Sequence, residues 1–123
     1  LTETPQTQPI DSRVNVEQHG QISVVELLGE HDLSTKEQIS GAIDAAVQGN
    51  HHVVVDLRSA SFIDSSTLQA LVAGSRRAAE AGKGFIIVIG EERAVVQVFE
   101  LTGLLDSFDC ADSPESAIAR LSS

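Results

Sequence analysis

The sequence predicts an α/β domain: a mixed, mostly parallel β-sheet of about four to five strands with an N-terminal β-hairpin, packed by about four α-helices. Three observations carry that expectation. The runs HVVVDL (52–57) and FIIVI (85–89) are continuous and apolar, as strands covered on both faces are. Segments with apolar residues three and four apart alternate with such runs, and strands alternating with helices join as parallel neighbours through helical crossovers. The chain has 123 residues, 41% of them apolar, with four Phe and neither Trp nor Tyr. That length builds one aliphatic core, not two.

The elements follow in order. Residues 1–12 (LTETPQTQPIDS) have the Pro, Thr and Gln content of a flexible arm and lack the basic flank and apolar stretch of a signal peptide. The domain is expected to span 13–123. Val14 and Val16, then ISVVELLG after the turn-forming His19-Gly20, predict a short and a longer strand in a hairpin. Ser34 and Glu37 have capping-box spacing, and Ile39, Ala42, Ile43, Ala46 and Val47 form one helical face that Gly49-Asn50 stops. After HVVVDL, a second helix runs from about Ser65 to Ala81 with Leu68, Leu71, Val72, Ser75 and Ala79 along one side and Gly82 as its stop. FIIVI follows, then a shorter helix from Glu91 to Leu101 carrying Val95, Val98 and Phe99, stopped by Gly103. A brief strand is expected around Ser107 to Asp109. Ser113-Pro114 then reads as an N-cap with Pro at the first helical position, opening a last helix through Ile118 and Leu121.

Charge and composition exclude several partners. A formal charge of −10 argues against nucleic acid and anionic membrane surfaces, which both need clustered Lys and Arg. The scarcity of aromatic residues removes the base-stacking side chains of a single-strand binder. A basic protein surface is the more natural counterpart. Cys110 is alone, so no internal disulfide forms and a reducing, cytoplasmic setting is expected. Apolar runs such as Phe85 to Ile89 are far too short to cross a bilayer, so no membrane insertion is expected.

Sites in open α/β sheets gather where strands end and helices begin. Four segments meet that description: Gly29 to Ser34, Leu57 to Ser66, Gly90 to Arg93, and Leu101 to Asp106. A nucleophilic Ser65 or Ser66 would need the strained G-x-S-x-G elbow, and the sequence has Asp-Ser-Ser-Thr instead. His19, His31, His51 and His52 all precede it, and a His in a turn or at a strand start is usually a solvated polar residue. Asp56 closes a buried strand, but phospho-aspartate chemistry needs further carboxylates and a Lys that are missing from the corresponding strand ends. The glycines of AGKGF lie between a helix and a strand, whereas a phosphate-cradling loop precedes a helix. His51 and His52 are adjacent and point to opposite faces of a strand, so they are no metal pair. No catalytic residue, cofactor or metal is expected.

The stretch FIDSSTLQAL (62–71) remains. Asp64 or Ser65 caps the helix, and with Asp64 as cap Ile63 and Leu68 are placed as a hydrophobic staple. A cap contributes about 1 kcal/mol, which accounts for one polar residue and not four in succession. The surplus hydroxyls are expected to face solvent at the positive end of a helix dipole. A phosphoryl group there would leave the fold intact while adding roughly −1.5 to −2 charges. From the residues alone, the cluster is either a helix cap or a modification site on a binding surface.

From about Val14 to Leu121 the chain resembles the STAS domain, found in anti-sigma factor antagonists and sulfate transporters. The resemblance rests on LLGEHDLST, VVVDLRSASFIDSSTLQAL, AGKGFIIVI and VFELTGLLDSF, which occur in the family's order. It implies a partner-switching module and not an enzyme. Such an antagonist binds an anti-sigma factor that is also a GHKL-type serine kinase, which frees the sigma factor. The kinase phosphorylates the first Ser after the motif Asp, here Ser65, and a PPM-type Ser/Thr phosphatase resets it. Ser66 and Thr67 are secondary acceptor candidates. The contact surface carried over is Asp32, Asp64, Ser65, Ser66 and Thr67, while Thr102 and Gly103 match residues that stop a helix. One position departs from the family: Thr67 stands where Gly is usual, adding bulk and a further hydroxyl. The alternative is a non-enzymatic STAS scaffold or transport-associated interaction domain that is not phospho-switched.

Overall fold

The hairpin at the start of the chain is regular. In the computed structural model, which describes residues 12–122, β1 (Arg13–His19) pairs antiparallel with β2 (Ile22–His31) without interruption. The arm expected over residues 1–12 lies outside the described residues except for Ser12. A 3-10 turn (Leu33–Thr35) leads into α1 (Lys36–Gln48), and β3 (His52–Asp56), β4 (Ala60–Ile63), α2 (Ser65–Glu80) and β5 (Phe85–Val88) follow. The chain closes with α3 (Arg93–Thr102), a second 3-10 turn (Leu105–Ser107), β6 (Asp109–Ala111) and α4 (Pro114–Ser122). The main sheet order is β1-β2-β3-β5-β6, parallel from β2 onward, and β4 pairs with the far end of β2. This is the mixed, mostly parallel α/β architecture expected.

Two details differ. Among the described residues the sheet has six strands, because β4 forms inside the segment expected to be a loop. Its Ala60 and Ile63 are buried while Ser61 and Phe62 are exposed, so it shows neither a continuous apolar run nor a two-residue alternation. It pairs with β2 across a register shift at Gly29/Glu30, where Gly29 holds φ +84°. A left-handed residue there bends the strand end toward β4, and Gly takes that conformation without a Cβ penalty. The last strand, β6, begins two residues later than expected, because Leu105–Ser107 forms the 3-10 turn.

The sheet separates two cores. On one face, Val25, Leu27, Val53, Val55, Phe85 and Ile87 pack against Ile39 and Ile43 of α1, Leu68, Leu71 and Ala78 of α2, and Phe99 of α3. The buried residue in the last turn of α2 is Ala78, two turns after Leu71, and the expected Ala79 is exposed. Gly74 lets α1 and α2 approach closely: a Cβ at that position would lie 2.9 Å from Ile43 Cγ2. An Arg77–Asp44 ion pair ties the same two helices together at the surface. On the opposite face, Ile22, Val24, Val54, Ile86 and Val88 meet Ala117, Ile118 and Leu121 of α4. His51 and His52 turn to separate neighbours. His51 bonds to Ser23 and Gln18, and His52 Nδ1 accepts the Gly84 amide at 2.9 Å.

Candidate functional site

Asp64 follows β4 with extended backbone (φ −115°, ψ −174°), which aims its carboxylate back over the first turn of α2. Oδ1 accepts the Thr67 amide at 3.1 Å and the Ser66 hydroxyl at 2.6 Å. Asp64 is therefore the N-cap, and Ile63 and Leu68, both buried, flank it as the staple spacing requires. The three hydroxyls that follow have three different surroundings. Ser65, the first residue of the helix, is exposed and takes no part in the cap. Ser66 is half-buried and bonded to Asp64. Thr67 has no exposed surface, and its Oγ1 donates to the carbonyl of His31 at 3.1 Å.

The expectation of a solvent-facing row of hydroxyls is thus corrected at Thr67. The third residue of a helix points back over the turn before it, and here that turn packs on the end of β2.

Asp32 sits beside this cap, at the end of β2. Its Oδ1 accepts the Ser34 amide at 2.9 Å and the Ser34 hydroxyl at 2.6 Å, so it caps the 3-10 turn. The expected Ser34–Glu37 capping box does not form. Thr35 is the N-cap residue of α1 and makes no side-chain cap bond, while Ser34 serves as a donor to Asp32. Hydrogen bonds from the Ser34 side chain and amide hold the Asp32 carboxyl below its ordinary value. At Asp64, desolvation pushes upward, but the bonds from Ser66 and Thr67 outweigh it and the net shift is downward. The charge of Asp32 opposes that shift, so the two carboxylates feel each other across the gap between their loops.

Beneath both caps lies His31, fully buried. Its Nε2 is 2.8 Å from the Leu28 carbonyl, which can only accept, so this nitrogen carries the proton. Nδ1 is then the acceptor for the Thr35 hydroxyl at 3.0 Å. Burial lowers the pKa of the imidazole, against the raising effects of the Leu28 bond and the Asp32 charge. With both nitrogens engaged, His31 has no ring nitrogen left to serve as a base for Ser65. Sequence reasoning grouped His31 with three other histidines. The available signal was the two-residue period of Val25 and Leu27, which runs on to His31.

Two exposed apolar residues lie next to the caps in the chain: Leu33 follows Asp32, and Phe62 precedes Asp64 by two positions. The other exposed large hydrophobic residues among those described are Leu101 in the last turn of α3, Leu105 in the second 3-10 turn and Val16 on β1. A groove of about 370 Å³ runs beside α2, lined by Ser65, Leu68, Val72, Arg76, Thr102 and Leu104 among others. Gly103 ends α3 in the left-handed conformation (φ +69°), and the Thr102 hydroxyl donates to the Val98 carbonyl at 2.8 Å. Asp56 is on the other side of the sheet, with both carboxylate oxygens held by Arg58 at 3.1 Å. Among the described residues no His, Cys, Asp and Glu group is arranged to hold a metal, and no helix is long and apolar enough to cross a membrane.

Comparison with known proteins gives a consistent result. The family model described as Mlab, STAS domain matches residues 14–107. An anti-sigma F factor antagonist from Paenibacillus polymyxa is 25% identical over 111 residues, covering 89% of this chain and 94% of that protein. The crystal structure of an anti-sigma factor antagonist from Mycobacterium paratuberculosis is similar at TM-score 0.77 and 28% identity, over 94% of this chain and 97% of the other. The Bacillus cell fate determinant SpoIIAA in its phosphorylated form is similar at TM-score 0.68 and 26% identity, over 88% and 98%.

Proposed function

The chain belongs to the STAS domain family, and from that premise we propose that it is an anti-sigma factor antagonist switched off by phosphorylation of Ser65. In this reading it binds an anti-sigma factor of the GHKL serine-kinase type in the cytoplasm, releasing a sigma factor, and has no catalytic step of its own. A PPM-type phosphatase restores the binding form. Relatives of this type support the general role, and the phosphorylated SpoIIAA structure supports a phosphorylated state of this fold.

The observation that carries the reading is the exposed Ser65 hydroxyl at the first position of a 16-residue helix, beside two carboxylates and at the edge of the α2 groove. A phosphoryl group there meets the positive end of the helix dipole, which favours it by about 0.3–1 kcal/mol, so the fold persists. Toward a partner the effect is opposite. Roughly −1.5 to −2 charges join those of Asp32 and Asp64 inside the contact, adding like-charge repulsion and desolvation. The docking face comprises Asp32, Asp64, Ser65 and Ser66, with Leu33 and the α2 groove adding apolar contact.

The second reading, a scaffold without a switch, draws support from Ser66 and Thr67, whose hydroxyls have structural partners. The two readings separate at one residue. Incubation with the cognate kinase and ATP, followed by mass spectrometry, is expected to find phosphate on Ser65 and none on the buried Thr67. Ser65→Ala should bind the partner as the wild type does and resist switching, and Ser65→Glu should weaken binding by roughly tenfold or more. No phosphate anywhere in residues 65–67 removes the switch and leaves the scaffold.

A further inference from the structure

Thr67 departs from the family's usual Gly, and its surroundings give the hydroxyl a defined task. The His31 carbonyl accepts two bonds from the start of α2: the Asp64 amide at 3.2 Å and the Thr67 hydroxyl at 3.1 Å. The His31 ring reaches the other way, to the Thr35 hydroxyl at 3.0 Å. Thr35 in turn closes the turn capped by Asp32, its amide bonding to the Asp32 carbonyl at 3.1 Å. One residue is therefore gripped by α2 through its backbone and by the Asp32 turn through its ring. Thr67 and His31 have no exposed surface, so water cannot replace either bond if it breaks.

We propose that Thr67 and His31 form a bracket that fixes the Asp32 turn against the Asp64–Ser65 cap, making Thr67 a positioning residue of the docking face and neither an acceptor nor a contact. The proposal rests on the reading of that face as the docking surface. A Gly at position 67 leaves the His31 carbonyl with the Asp64 amide alone. A Val keeps the bulk and removes the donor. In both cases His31, and with it the Asp32 turn, is hydrogen-bonded to the start of α2 by the Asp64 amide alone, and the spacing of the two carboxylates becomes variable. Asp32 bears on the titration of Asp64, so that spacing can be read out directly.

The test uses the full chain as wild type, Thr67→Ser, Thr67→Val and Thr67→Gly, each with and without Asp32→Asn. Carboxyl NMR follows the titration midpoint of Asp64. Removing the Asp32 charge is expected to lower that midpoint in wild type and Thr67→Ser, and by roughly half as much or less in Thr67→Val and Thr67→Gly. Amide exchange at Leu33–Thr35 should quicken by about tenfold in Thr67→Val and Thr67→Gly, stay unchanged in Thr67→Ser, and change less in β3 and β5. Thr67→Gly introduces no bulk and serves on its own should Thr67→Val fail to fold. An equal effect of Asp32→Asn in all four backgrounds overturns the bracket, as does exchange that quickens equally in turn and core. Neither readout involves a kinase or a partner. An unphosphorylated Ser65 therefore leaves the bracket standing, and a failed bracket leaves the switch standing.

Discussion

A buried, neutral imidazole under a pair of carboxylates makes His31 sensitive to pH in a direction that can be stated in advance. Burial holds its folded pKa below the ordinary 6.5. As pH falls through 6.5 the unfolded chain takes up a proton that the folded protein resists, so stability declines from there down to the folded value. Asp32 and Asp64 are lowered as well, and their contribution is lost only below the ordinary 3.8. The two windows open at different points as pH falls, that of His31 first. Thermal melts at pH 7.5 and 5.5 should show a lower midpoint at 5.5, and His31→Gln should flatten that dependence. An equally steep dependence in the variant would assign it to other groups. At this scale the sequence was legible where a polar residue begins a helix, as Asp64 does. It was not legible between Ser65 and Thr67: the residue types are nearly alike, and about half a helical turn carries one into solvent and the other onto β2.

Among the elements, the contact of α1 with α2 matters most, because it sets where the first turn of α2 sits. Gly74 permits it. Replacing Gly by Ala in a helix interior normally stabilises by about 1 kcal/mol. Here the new Cβ would lie 2.9 and 3.0 Å from Ile43 Cγ2 and Cδ1, and Ile43 is fully buried with nowhere to swing. Overpacking of that kind costs typically about 1–3 kcal/mol, so the steric effect prevails and Gly74→Ala should lower stability in urea unfolding. A gain would mean the helices separate at little cost. The long elements were legible because their apolar residues repeat: β3 and β5 as continuous runs, α1 as a clear face. Strand β4 was not, since its pairing depends on the bend at Gly29 in a different element. The Ser34–Glu37 box failed for a related reason. Asp32 lies two residues earlier, takes the Ser34 amide and hydroxyl, and delays α1 until after the 3-10 turn.

Across the whole molecule, the sheet works as a partition. The proposed docking constellation stands over the core shared by α1, α2 and α3, while among the described residues α4 is the helix packed on the other core. Ile86 is buried in that second core, so Ile86→Ala should cost about 2–5 kcal/mol in urea unfolding. It should leave partner binding per folded molecule unchanged. A loss of affinity equal to that of an Asp32 or Asp64 variant would show that the two sides are mechanically joined. The alternation of strands and helices made the overall architecture readable from the chain, but which face each helix takes was set by crossovers that no local pattern records.

A divided interior also shapes what the protein can become. Residues under α4 hold the fold, whereas those under the caps hold the fold and, in the proposed switch, the placement of Ser65 as well. On that proposed reading, a lineage can rewrite the α4 side and still keep the serine in place across the sheet.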